Sequence, residues 1–292
     1  MKLKSTVLKK IKRALSAAVI AAAVCIPQGL VSAAELSDRD NPELQRVEPF
    51  QVFDNLYYVG AKWVSAWLYV TDQGLILIDS LYGDLTDLAI ENIRTLGFDP
   101  NDISYLIVTH AHYDHVGGAR RFQDEFGAVV MMTETDWQMT TEPAIYQEYP
   151  TPIRHLAAND GSTLTLGREQ LQFFETPGHT PGVLSLAFTV YDDGYPREAF
   201  MFGGVGLNFS GVERTESYIN SVERLQKMRG IEVNIPNHES TAGVFARNER
   251  LKNRKEGEPH PFVDPDTYYT WLEELLAAAE EKLVQERAAG NP

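Results

Sequence analysis

The six residues His110-Ala111-His112-Tyr113-Asp114-His115 restrict what this chain can become more than any other stretch of its sequence. Three imidazoles and a carboxylate packed into one short segment gain nothing from one another unless a cation draws them together. The run follows Ile103 to Val108, an apolar stretch that reads as a buried strand. A loop at a strand end is where a scaffold can aim several side chains at one point. Two further histidines stand where strand patterns stop: His179 in Thr176-Pro177-Gly178-His179-Thr180-Pro181-Gly182, and His238 in Ile235-Pro236-Asn237-His238. Five of the seven histidines therefore belong to one candidate metal constellation, while His155 and His260 read as solvated loop residues.

The surrounding pattern is that of a layered α/β chain. Short β-rich runs at Phe50 to Tyr58, Ala66 to Thr71 and Leu75 to Ile78 are separated by turn residues Asn55, Asp72 and Gly74. A helix is expected from about Leu85 to Leu96, because Leu85, Leu88, Ala89, Ile93 and Leu96 share one face and Gly97 stands at the C-terminal cap. In the second half, strands are expected near Val129 to Met132, Ser162 to Leu166, Leu171 to Glu175, Leu184 to Val190 and Ala199 to Phe202. Helical periodicity marks Arg214 to Met228 and Thr267 to Gln285. Strands alternating with helices in two halves predict a sandwich of sheets covered by helices.

Residues 1–33 read as an export signal. Lys2, Lys4, Lys9, Lys10, Lys12 and Arg13 precede the apolar stretch Ala14 to Val24, and Val31-Ser32-Ala33-Ala34 supplies small residues for cleavage. The apolar stretch falls short of the roughly 20 residues that span a bilayer. Residues 34–49 are then an N-terminal extension and residues 50–292 a single domain. Cys25, the only cysteine, lies inside the signal, so the exported chain is expected to rest on core burial and bound metal without a disulfide. Loss of the six cations of this segment takes the net charge from −15 to −21. Such an anionic chain is unsuited to nucleic acid or an anionic membrane as partner and fits a soluble, periplasmic or extracellular protein acting on a small molecule.

The His110 to His115 run, Leu77-Ile78-Asp79-Ser80, Gly117-Gly118 and the Thr176-Pro177-Gly178-His179 turn together resemble the metallo-β-lactamase superfamily over about Phe50 to Glu286. The resemblance implies an αβ/βα sandwich, two mixed β-sheets flanked by helices, with two Zn2+ ions per chain in a cleft at the sheet edges. It assigns His110, His112 and His179 to the first zinc and Asp114, His115 and His238 to the second. Three neutral imidazoles leave the first zinc its full charge and one open position, enough to acidify a bound water to a pKa of about 7.

Many relatives bridge the metals with a further aspartate after a strand of the second half, where this chain has Ala199-Phe200-Met201-Phe202-Gly203-Gly204. Asp192 and Asp193 come earlier and read as solvated turn residues. Five histidines and one aspartate, without cysteine or bridging carboxylate, resemble the third subclass of class B metallo-β-lactamases. Ile93-Arg94-Thr95-Leu96-Gly97-Phe98 and Pro261-Phe262-Val263-Asp264-Pro265 are also similar to that group. Thr180-Pro181-Gly182-Val183-Leu184-Ser185 after His179, and Glu239 after His238, depart from it. The implied reaction is opening of a β-lactam amide by zinc-bound hydroxide, with Asp114 orienting the nucleophile. The rival on the same fold is a zinc-dependent lactonase or esterase, such as an acyl-homoserine lactone hydrolase, and the third reading is a non-catalytic exported zinc-binding protein. Asn208 and Ser210 are candidates to hold a substrate, and Trp63, Trp67 and Trp137 candidates for an apolar rim.

Overall fold

A computed structural model of the chain describes residues 37–142 and 148–290. The expected export signal, with Cys25, lies outside the described residues. Among these, no helix is long and apolar enough to cross a membrane.

Seven strands form the first sheet in chain order: β1 (Phe50–Phe53), β2 (Leu56–Tyr58), β3 (Trp67–Thr71), β4 (Gly74–Ile78), β5 (Ile103–Ile107), β6 (Val129–Thr133) and β7 (Leu156–Ala158). β1 to β4 are antiparallel hairpins, and β4 to β7 run parallel through helical crossovers. The second sheet contains β8 (Thr163–Leu166), β9 (Glu169–Glu175), β10 (Leu184–Asp192), β11 (Tyr195–Met201) and β12 (Val233–Asn234), in the order β12-β11-β10-β9-β8. Here only the β11–β12 pair is parallel. Two mixed sheets flanked by helices make the αβ/βα sandwich expected from the sequence.

The apolar runs explain the layering. Leu68, Leu77, Leu106 and Val130 face the helices Leu85–Thr95 and Ala119–Phe126, whereas Trp67, Ile76, Ile78 and Ile107 face inward against Phe173, Leu186 and Phe188 of the second sheet. Phe200 and Phe202 cover the outer side of that sheet beneath Tyr218, Leu225, Tyr268 and Leu272 from the helices Val212–Lys227 and Pro265–Ala288. Each such side chain taken fully from water contributes about 1.5–3 kcal/mol. Gly97, at φ 88°, ends the helix Leu85–Thr95 as the sequence predicts: its amide reaches Arg94 O and that of Phe98 reaches Ile93 O, which satisfies two end carbonyls.

Four sequence expectations are corrected. Trp67 is fully buried between the sheets and donates its indole N–H to Pro236 O at 2.8 Å, so it packs and cannot meet a substrate. Trp137 is likewise buried, with its indole N–H on Leu156 O at 2.7 Å. His260 is buried, stacked on Phe53 at 4.2 Å, with Nε2 on Val52 O at 2.9 Å. His155 is exposed, as expected. Asp192 closes β10 as a buried partner of Arg254 at 2.7 Å, which holds its carboxyl below the usual range against the opposing effect of burial. Asp193 alone occupies the exposed turn.

Candidate metal centre

The strand ends deliver the ligands. β5 runs through Val108 and Thr109 into His110, and the short helix Tyr113–Val116 turns Asp114 and His115 back beneath His110 and His112. His179 sits in the turn between β9 and β10, and His238 follows β12 after Ile235-Pro236-Asn237. The result is two adjoining groups, His110, His112 and His179, and Asp114, His115 and His238, each with its ligand atoms within 4.8 Å of one another. They meet where the His110 and His115 rings lie 4.1 Å apart.

Hydrogen bonds fix which nitrogen points inward. His179 Nδ1 donates to Gly206 O at 2.7 Å, and His238 Nδ1 donates to Trp63 O at 3.0 Å. His115 Nδ1 donates to Asp79 Oδ2 at 2.8 Å. Asp79 also accepts from Thr109 Oγ1 at 2.9 Å and the Thr109 amide at 2.8 Å, and Thr109 Oγ1 lies 3.2 Å from His110 Nδ1. Asp79 holds this position at φ 61°, a left-handed conformation that costs a non-glycine residue energy and occurs where a site demands it. The opposite nitrogens are thereby turned toward one another.

Those inward atoms have the spacing of a metal site. His110 Nε2 and His112 Nδ1 are 3.2 Å apart, as are His115 Nε2 and His238 Nε2. Asp114 Oδ2 lies 3.3 Å from His115 Nε2 and 3.4 Å from His238 Nε2. Ligands about 2.0–2.1 Å from a tetrahedral ion are separated by about 3.3–3.4 Å, so both groups fit a zinc-sized cation. Outer partners such as those of His110, His115, His179 and His238 are the usual accompaniment of metal ligation.

The electrostatics divide the groups. Burial lowers His110 well below the ordinary histidine value, and burial with neighbouring imidazoles brings His112 to about 4 and His179 to about 3. These three are neutral ligands at neutral pH. Burial also pulls on His115, but the carboxylates of Asp114 and Asp79 outweigh it and raise His115 to about 10. Asp114 is correspondingly held well below the carboxylate range by His115, against its own burial. The second group therefore demands positive charge, which a metal ion would supply in place of the His115 proton.

Both groups open on a cleft of about 720 Å3 whose lining includes Arg39, Lys62, Trp63, Tyr113, Asn208 and Glu239. Of the expected substrate contacts, Trp63 and Asn208 line it, Trp67 is buried behind it, and Ser210 is exposed outside it. Arg39 and Lys62 were missed by the sequence reading. Arg39 lies 4.7 Å over the Trp63 ring, and Gln45 O and Oε1 accept from the Lys62 and Trp63 amides, so the extension before β1 forms part of the rim. No local signal marks Arg39 and Lys62 among the 26 lysines and arginines of the chain, because their convergence is tertiary. Val205 and Gly206 line the cleft, and Gly203-Gly204 lie buried just before them. A Cβ on Gly203 would collide with Leu184 O, and one on Gly204 would come within 2.6 Å of Val183 Cγ2 and 2.9 Å of His179 Cβ. No bridging carboxylate fits there.

Comparison with known proteins agrees with this geometry. The family described as the metallo-beta-lactamase superfamily matches residues 60–193. BJP-1, a subclass B3 metallo-beta-lactamase of Bradyrhizobium japonicum, is 30% identical with a TM-score of 0.75, covering 84% of this chain and 97% of its own. The uncharacterized protein YobT of Bacillus subtilis is 29% identical over 57% of this chain and 74% of its own length. An N-acyl homoserine lactonase of Bacillus thuringiensis is 26% identical over 49% of this chain. The match spans 57% of the lactonase.

Proposed function

Since the chain belongs to the metallo-β-lactamase superfamily and is a metallo-hydrolase of that fold, we propose that it is a zinc-dependent enzyme that opens a β-lactam amide. One observation carries the reading: each group offers three protein ligands at the floor of an open cleft. Structural zinc sites take four protein ligands, whereas catalytic ones keep a position free. The nitrogen-rich donor set supports zinc over manganese or magnesium. Bound here, zinc would acidify a water and polarise a carbonyl oxygen.

The chain's own residues supply the rest. His110, His112 and His179, neutral, would hold a metal at the first position, and Asp114, ionised, would help to hold one at the second with His115 and His238 and orient the nucleophile. Arg39 and Lys62 stand in a lining whose acidic side chains are Glu239 and the ligand Asp114, and they support a substrate carrying a carboxylate, as β-lactams do. Trp63, beneath Arg39, offers the apolar surface for a ring, and Asn208 a hydrogen-bonding edge.

The similarity to the N-acyl homoserine lactonase favours a second reading, opening of a neutral lactone by the same two groups. Turnover of a chromogenic cephalosporin, a penicillin and an acyl-homoserine lactone by the zinc-loaded protein separates the two. Brisk lactone opening with no β-lactam turnover overturns the first reading. The basic and apolar N-terminal segment supports export to the periplasm or beyond, which mass spectrometry of the exported chain would test by a start near residue 34.

A further inference from the structure

Asp136 belongs to neither ligand group, yet both arms of the three-histidine group converge on its carboxylate. It is fully buried in the first turn of the helix Glu134–Met139, which follows β6. Its Oδ2 accepts from the amide of Ala111 at 2.8 Å, the residue between His110 and His112, and from Thr180 Oγ1 at 3.1 Å, the residue after His179. Thr133, which caps the same helix, donates Oγ1 to Gly182 O at 2.6 Å and accepts from the Asp136 amide at 3.2 Å. Gly182 itself packs so closely on the carboxylate that a Cβ would strike it. The other group uses different anchors: Asp79 for His115, Trp63 O for His238, and Asn237, whose Nδ2 donates to Gly203 O at 2.6 Å.

We propose that Asp136 is a positioning residue that joins the two segments carrying His110, His112 and His179, a brace directed at the three-histidine group, whereas Asp79 serves His115 and, through Thr109, the strand end of His110. The inference rests on reading both groups as metal sites. A carboxylate removed from water needs hydrogen bonds to compensate its desolvation, and both of those on Oδ2 come from ligand-bearing loops that are distant in sequence. Without it the Ala111 amide loses a buried acceptor, and of the links between the turn of His179 and the strand end of His110 the Leu184 amide on Thr109 O at 2.7 Å remains. Removal of an outer partner of this kind weakens metal binding about 10–100-fold.

The test is zinc affinity of the purified protein, by competition with a chromogenic chelator, in two backgrounds. His238→Ala isolates the three-histidine group, and His179→Ala isolates the Asp114, His115 and His238 group. Asp136→Ala is expected to weaken zinc about 10–100-fold in the first background and less than about threefold in the second. Asp136→Asn, whose amide oxygen can accept from both donors, is expected to restore most of the loss, a rescue that a general folding defect would not show. Thr180→Val removes one donor and is expected to give a smaller loss in the first background alone, and it carries the test if Asp136→Ala does not fold. Equal losses in both backgrounds, no loss in the first, or an Asn variant as weak as the Ala variant overturns the proposal. If neither histidine substitution lowers bound zinc from two to one, the metal reading itself fails, whereas failure of the brace alone leaves those stoichiometries intact.

Discussion

The His110, His112 and His179 group and the Asp114, His115 and His238 group share one strand end, yet the first is neutral and the second is built of charged side chains. In the first, burial and mutual repulsion keep three imidazoles neutral. In the second, Asp114 and Asp79 enclose His115 and keep it cationic until a metal takes over that charge. The first sheet supplies His110, His112, Asp114 and His115, and the second sheet completes each group with one histidine. A metal in either group therefore ties the two sheets together, and the difference between the groups lies in what must leave when it binds.

The largest effect expected is that of removing metal altogether. Chelation should abolish hydrolysis and lower the melting temperature, because both ties between the sheets are lost together, and activity that survives complete removal, confirmed by elemental analysis, would contradict the role of both groups. Next is Asp79→Ala, which leaves His115 Nδ1 without its carboxylate and should weaken the second group about 10–100-fold. Chelator competition in the His179→Ala background reads this directly, and an unchanged affinity would remove Asp79 from the account.

Proton release sharpens the contrast further. With His115 raised to about 10, zinc must displace a proton from the second group at neutral pH, so affinity there should climb about tenfold per pH unit between pH 6 and 8. With His112 near 4 and His179 near 3, affinity of the first group should be flat over the same range. Calorimetry of the two single-site backgrounds in buffers of different ionisation enthalpy checks it, and equal proton release would erase the distinction. The smallest effect is at the rim. Arg39→Ala with Lys62→Ala should raise KM for a carboxylate-bearing substrate several-fold, on the order of 1 kcal/mol for exposed charges, and leave a neutral lactone unaffected.

Much of this was legible in the sequence because the decisive signals are local. His110 to His115 are covalent neighbours, the β5 pattern ends just ahead of them, and Gly97 marks a helix end through its own backbone. The two triads required the family resemblance, since nothing in the spacing of His179 or His238 states which group each completes. The helices Ala119–Phe126 and Val244–Lys252 were not anticipated, because they are short and owe their stability to packing, as with the fully buried Phe122. Trp67, His260, Asp136 and Arg39 were misread or unread for one reason: burial and convergence on a cleft are properties of the assembled sheets.

An anomalous-scattering map of crystals grown with zinc, measured at the zinc absorption edge, addresses the centre of the account. It should show two peaks, one about 2.0–2.1 Å from the inward nitrogens of His110, His112 and His179, and one at about the same distance from Asp114, His115 and His238. A single peak, or a second ion held by residues other than these, would contradict it.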